Sequence, residues 1–331
     1  IFGILTTCGL AETLSAPSDP ASSIPASSDG IDILNRVRDL FNNRKIDEAK
    51  ALLTGKQLKA IGKNNPLIDA AILNDLGVIF DSEGMFRDAE SAYSRAIGLV
   101  RHAGGEDTPA QIDPVANLAN LLYESSQFSR AEILLTREIK ILNIVSASGE
   151  FDKRSAIAQG TLAKVYLGEH KYSLAAGTAQ NLIKVRSGAD QTLQLAAALG
   201  YSVLGAVSTR QGQLPAAETS LREAISILES ALDSDDVRIS EGIANMGLFY
   251  VESGDPGRGE PLLEDAHARL NASRFNSLFR RSFLLRFADV ERRSGNKKKA
   301  KELLNEARSL AAGSPANSLS QYIVDVSAWR Q

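Results

Sequence analysis

Apolar residues recur at helical spacing from Ile31 onward, most clearly over 73–97, LNDLGVIFDSEGMFRDAESAYSRAI. Leu73, Leu76 and Phe80 stand at i, i+3 and i+7, on one face of a helix. Gly77 lies among them and, having no side chain, lets another helix come close. Gly84 breaks the pattern. Phe86, Ala89, Tyr93, Ala96 and Ile97 then form a second apolar stripe. The stretch predicts two helices around one turn.

This unit recurs. A small residue early in the second helix occurs at Ala49, Ala89, Ala131, Ala175, Ala217, Gly259 and Ala300, at intervals of 40, 42, 44, 42, 42 and 41. A shared period across the chain marks a stacked repeat array, in which each unit buries its apolar face against its neighbours. Twelve residues before the marker lies Val37, Gly77, Ala119, Ala163, Gly205, Gly247 or Ala288, mostly small. Four after it lies Leu53, Tyr93, Leu135, Ala179, Leu221, Leu263 or Leu304, mostly large. Small against large makes knobs and gaps that interlock. Nine before the marker, Leu40, Phe80, Leu122, Tyr166 and Tyr250 fit, whereas Ser208 and Glu291 do not, so repeats five and seven are degenerate there.

The punctuation agrees. Glu83-Gly84, Gly168-Glu169, Gln211-Gly212, Ser253-Gly254 and Ser294-Gly295 stand between paired helices, where residues that accept positive φ are useful. Pro109, Pro114, Pro215 and Pro256 fall near helix starts, and Pro261 falls about a turn inside. Asp190 and the run from Asp233 to Asp236 occupy N-capping positions. The expected organisation is a helical array over 31–312, preceded by a Ser/Pro/Ala-rich linker over 12–30 that cannot bury enough apolar surface to order itself. A tail over 313–331, extended or helical, is placed to cap the last repeat, with Trp329 available to pack there.

Residues 1–11, IFGILTTCGLA, are apolar but too short to span a bilayer. They fit the remnant of a signal peptide, which would place the protein in an exported compartment. Leu5-Thr6-Thr7-Cys8 also spells a poor lipobox, in which Cys8 would be lipidated and tie the chain to a membrane; an ordinary frayed terminus is the third reading. Cys8 is the one cysteine, so no internal disulfide forms.

The net charge of −3 makes the whole molecule no obvious nucleic-acid or membrane binder. Charge is uneven, however. Residues 269–308 hold twelve Lys and Arg against four acids. This basic stretch admits an acidic partner or weak nucleic-acid binding, although runs of this kind are ordinarily solvated faces. Phe275, Phe279, Phe283 and Phe287 step by four and fit a buried stripe rather than base stacking.

The alternation of Leu73, Leu76, Gly77 and Phe80 with Ala89, Tyr93 and Ala96 resembles the tetratricopeptide repeat (TPR) family, over roughly 31–312. The period near 42 exceeds the usual 34 and resembles the kinesin-light-chain-like subclass. The resemblance implies an all-α, right-handed α-solenoid of about seven antiparallel helix pairs. It implies a non-catalytic scaffold or adaptor that binds a protein or peptide segment in a groove lined by the first helices. The groove-facing places it implies include Asn74, Asn120, Tyr123, Lys164 and Arg292. Asn117 and Asn245 take the place where the subclass often carries an asparagine, whose amide can both donate to and accept from an extended backbone. Thr161, Val203 and Arg286 break that ladder, and bridging between helices is the competing role for these amides. A docking arm of a larger signalling protein is an alternative.

Catalytic signatures do not appear. His102, His170 and His267 are far apart and lack partners at metal-ligand spacing. No G-x-S-x-G, H-E-x-x-H or phosphate loop occurs. Gly254-Asp255-Pro256-Gly257-Arg258-Gly259 is glycine-rich but stands where every repeat needs a turn. The carboxylates are expected on solvated helix faces. No enzyme, cofactor or small-molecule substrate is therefore expected.

Overall fold

The computed structural model describes residues 28–311, apart from 44, 57–59, 61–64, 146–148, 185–189 and 273–277. The leader with Cys8 and the tail with Trp329 lie outside the described residues, as does the linker up to residue 27. Ser28, at the end of that linker stretch, already opens the first helix.

Fourteen α-helices and no strand occur among the described residues. They pair as α1 (Ser28–Asn42) with α2 (Ile46–Thr54), α3 (Pro66–Ser82) with α4 (Phe86–Gly104), and α5 (Ile112–Glu124) with α6 (Phe128–Val145). The series continues with α7 (Gly149–Gly168) and α8 (Tyr172–Lys184), α9 (Gln191–Arg210) and α10 (Leu214–Ala231), and α11 (Val237–Glu252) and α12 (Pro256–Ala272). The last pair is α13 (Leu278–Arg293) and α14 (Lys297–Ala311). All seven marker residues are buried in second helices, in the register the 42-residue period predicts.

One backbone device closes every pair. The N–H four residues before the marker donates to the carbonyl nine before it, at 2.8 Å in each turn: Lys45 to Leu40, Met85 to Phe80, Gln127 to Leu122, Lys171 to Tyr166, Gln213 to Ser208, Asp255 to Tyr250 and Asn296 to Glu291. This six-to-one bond is the Schellman closure, which needs a left-handed residue just before its donor. Gly84, Gly212, Gly254 and Gly295 supply it, with φ between 71° and 88°. Ser126 (φ 57°) and His170 (φ 59°) supply it in repeats three and four. The Gly168-Glu169 expectation is thereby corrected, since Gly168 ends α7 and His170 makes the turn. The closure also explains the misfits. Ser208 and Glu291 contribute a carbonyl, and a carbonyl does not depend on the side chain.

Small residues then set how close the helices lie. A Cβ on Gly77 would lie 2.5 Å from Tyr93 Cε1, and one on Gly205 would lie 2.7 Å from Leu221 Cγ. Gly259 meets the carbonyl oxygen of Gly247, which a Cβ would approach to 2.6 Å. The glycine-rich segment 254–259 is thus a turn followed by a close helix contact. Asn65, Asp190 and Asp236 cap their helices through side-chain oxygens. Pro261 stands inside α12, where it has no N–H to offer the preceding turn.

The chain forms two compact units, divided at Asp152/Lys153. In the N-terminal unit one core runs through Leu34, Val37, Leu53, Ile68, Ile72 and Ile79. A second joins Leu73 of α3 to Ala96 and Val100 of α4. In the C-terminal unit one core extends from Ala163 to Ala307. Phe283 and Phe287 lie in it with ring centroids 5.7 Å apart, as the four-residue step predicts. Among the described residues one helix, α9, is long and apolar enough to cross a membrane, and 61% of its apolar window is buried in the protein.

Candidate binding face on the first helices

Among the described residues, buried polar side chains are concentrated on five of the seven first helices. Asn74, Asp75 and Asp81 lie on α3, Asp113 and Asn117 on α5, Thr161 and Lys164 on α7, Ser240, Glu241 and Asn245 on α11, and Glu291 on α13. Among second helices only Glu138 of α6 joins them within the described residues. The expectation that carboxylates sit on solvated faces therefore fails here. Periodicity reports where apolar residues fall, and it is blind to a polar residue that faces a neighbouring helix.

In the N-terminal unit the amides join adjacent first helices. Asn117 Nδ2 of α5 donates to Asn74 Oδ1 of α3 at 2.9 Å, and Asn74 Nδ2 donates to Asp75 Oδ1 at 3.2 Å. Asn74 and Asn117 thus bridge helices, the competing role that the sequence left open. Asn120 and Tyr123 are half-buried on α5, and the Tyr123 ring lies 6.0 Å from that of Phe128 across the turn. Asp81, in the last turn of α3, is 7% exposed. Burial, with the charge of Glu124 added, pushes its carboxyl up to about 7. Tyr93, which packs beneath Gly77, is raised well above an ordinary phenol by burial and by the charges of Asp81, Asp75 and Glu124.

In the C-terminal unit Lys164 and Asn245 are buried on α7 and α11. Asn245 Oδ1 accepts no hydrogen bond among the described residues. A cleft of about 420 Å³ opens between α11 and α13. Leu248, Val251, Leu285 and Val290 give it an apolar lining, and Glu252, Arg286, Asp289 and Arg293 give it charge. Arg286 Nη2 holds Glu252 Oε1 at 2.8 Å, and Arg293 Nη2 holds Asp289 Oδ2 at 2.7 Å. Arg292 is an exposed neighbour that also reaches Asp289, at 2.5 Å.

Half of the twelve cations of the basic stretch form ion pairs among the described residues. Arg269 pairs with Asp265, Arg280 with Glu306, and Lys299 with Glu264 and Glu291. Glu306 also meets His267 Nε2 at 2.9 Å. Burial alone would raise the Glu306 carboxyl, but the hydrogen bonds from Arg280 and His267 outweigh it and hold the group low. Among the described residues no three His, Cys, Asp or Glu side chains gather to hold a metal ion.

The family model for the tetratricopeptide repeat matches residues 198–237, which span the end of α9, all of α10 and the start of α11. The chain is a TPR-like repeat protein. Solved structures share this TPR-like fold at low identity. The apo form of RapI superposes with a TM-score of 0.65 at 14% identity, over 86% of this chain and 99% of that one. A tetratricopeptide repeat protein from Parabacteroides merdae gives 0.59 at 16% identity, over 85% and 93%. NprR in complex with its cognate peptide NprX gives 0.59 at 15% identity, over 90% and 80%. No curated protein matches the TPR-like sequence significantly.

Proposed function

We propose that this chain is a non-catalytic scaffold that binds a peptide or protein segment on the faces of its first helices. The observation that carries the reading is the placement of buried polar side chains on those helices. A helix face that serves packing alone is more stable when apolar, because an unmatched buried polar group costs roughly 1–3 kcal/mol. Some of these groups bridge helices, as Asn74 and Asn117 do, and others, such as Asp81 Oδ1 and Asn245 Oδ1, accept no hydrogen bond among the described residues and would serve a bound segment. A rigid surface of this kind lowers the ordering cost of association. The peptide-bound relative NprR, of like fold, makes a peptide a reasonable occupant. Nucleic-acid binding through 269–308 is the second reading, weakened because half of its cations are engaged by carboxylates.

The test is selection of displayed random dodecapeptides on the full chain, followed by titration against variants. Asn120→Ala, Lys164→Ala and Leu285→Asp change the first helices, whereas Ile133→Asp changes the exposed side of α6. Selected peptides are expected to lose about tenfold or more in affinity to at least one of the first three variants, about 1.4 kcal/mol, and to bind Ile133→Asp as they bind the parent. Equal binding to all first-helix variants would remove the site from this face.

A further inference from the structure

The binding face of the N-terminal unit is acidic. Asp75, Asp81 and Asp113 are buried on α3 and α5, and Glu124 stands half-buried at the end of α5. None of the unit's lysine or arginine side chains whose burial is described is buried. The Asn117–Asn74–Asp75 chain fixes one side of the cluster, with Asp75 as its terminal acceptor. Asp81 is the member at the end of α3. It is more than nine-tenths buried, and its Oδ1 accepts no hydrogen bond among the described residues. Its carboxyl is near enough to feel the charge of Glu124 on the next first helix, and Tyr93 behind it feels Asp75, Asp81 and Glu124 together. A carboxylate oxygen held in this way, in a negative field, is an acceptor waiting for a cationic donor.

We infer that this face takes a cationic group of the bound segment, a lysine side-chain ammonium or a peptide N-terminal ammonium, with Asp81 as its direct acceptor and Asp75 and Glu124 supplying the field. The inference rests on the peptide-binding reading and names the chemistry of its ligand. A cation would convert the desolvated carboxylate cluster from a cost into a source of affinity, because opposite charges attract more strongly where water is excluded. Binding would also be linked to protons. Asp81 titrates near 7, so it is mostly neutral at pH 6 and mostly charged at pH 8. The groups that bear on it and on the phenol behind it are Asp75 on α3, Tyr93 on α4 and Glu124 on α5. On the side of α2, Lys50 is held by Glu83 at 2.7 Å.

The experiment is isothermal titration of the full chain with three probes: N-acetyl-tetralysine amide, tetraalanine amide with a free N-terminus, and N-acetyl-tetraglutamate amide. Tetralysine is expected to bind saturably and about tenfold more weakly at pH 6 than at pH 8, the ratio of charged Asp81 at the two values. Asp81→Asn is expected to abolish that pH dependence and to weaken binding at pH 8 by about tenfold. Tetraalanine is compared at pH 7, where its amine is still mostly charged. Binding of tetralysine alone assigns the site to a side chain, and binding of tetraalanine alone assigns it to a terminus. The inference is overturned if neither cation binds, if Asp81→Asn binds them as the parent does, or if tetraglutamate binds equally well. Should the cations fail while selected dodecapeptides still bind the first helices, the cation site falls and the scaffold reading stands.

Discussion

At the scale of single residues the structure separates positions where chemistry and conformation agree from positions where they conflict. Ser126 holds the left-handed place that glycine fills in four other turns. That conformation costs a side-chain-bearing residue about 1–2 kcal/mol, while a glycine loses about 0.5–1 kcal/mol more to chain entropy. Ser126→Gly should therefore raise stability by roughly 0.5–1 kcal/mol, read as a higher midpoint in denaturant. A lower midpoint would mean that the serine is not strained. Asp81 gives a conflict of another kind. Its folded pKa is raised from 3.8 to about 7, chiefly by burial and then by Glu124. Its contribution is therefore fully present below the unfolded value near 3.8 and is lost as pH rises through about 7. The loss is on the order of 2–4 kcal/mol. Asp81→Asn should melt higher than the parent at pH 8 and lose that advantage toward pH 4. Parallel melting curves across this range would show that the carboxyl titrates normally. Neither feature is legible in sequence. Ser126 lies in Ser-Ser-Gln, which carries no turn glycine, and Asp81 in Phe-Asp-Ser-Glu-Gly looks like any polar helix end.

At the scale of elements the fold rests on helix pairs interlocked by small residues, and most of this was legible. The marker spacing, the turn glycines Gly84, Gly212, Gly254 and Gly295, Pro261 inside its helix and the Phe283–Phe287 stripe lie where the pattern predicts, whereas Gly168 does not make its turn. They are legible because apolar periodicity and turn chemistry are local. The polar contacts between first helices are not local, and so Asn117 on Asn74 could be read only as one of two roles. Two glycines test the interlock. Gly77→Leu must displace Tyr93, so it should cost about 1–3 kcal/mol. A Cβ added at Gly98, in α4, would meet nothing within 4 Å. Gly98→Ala should therefore be neutral or stabilising by up to about 1 kcal/mol. Equal effects on the denaturant midpoint at the two positions would show that helix propensity, not packing against Tyr93, governs Gly77.

At the scale of the whole molecule the two units share one construction and differ in how charge is carried on their first helices. The N-terminal unit buries Asp75, Asp81 and Asp113, whereas the C-terminal unit buries Lys164 as well as Glu241 and Glu291, and the Arg286 and Arg293 of its cleft are paired with Glu252 and Asp289. On the proposed reading the first face takes a cationic part of a bound segment, while the cleft of the second is charge-balanced by its own ion pairs. The most direct measurement is photo-crosslinking of a selected peptide carrying benzophenone, with the attached residues mapped by mass spectrometry. Attachment is expected on first helices, at or beside positions such as Asn120, Tyr123, Lys164 and Leu285. Attachment confined to the exposed sides of second helices, near Ile133 or Leu174, or to α14, would contradict binding on the first helices.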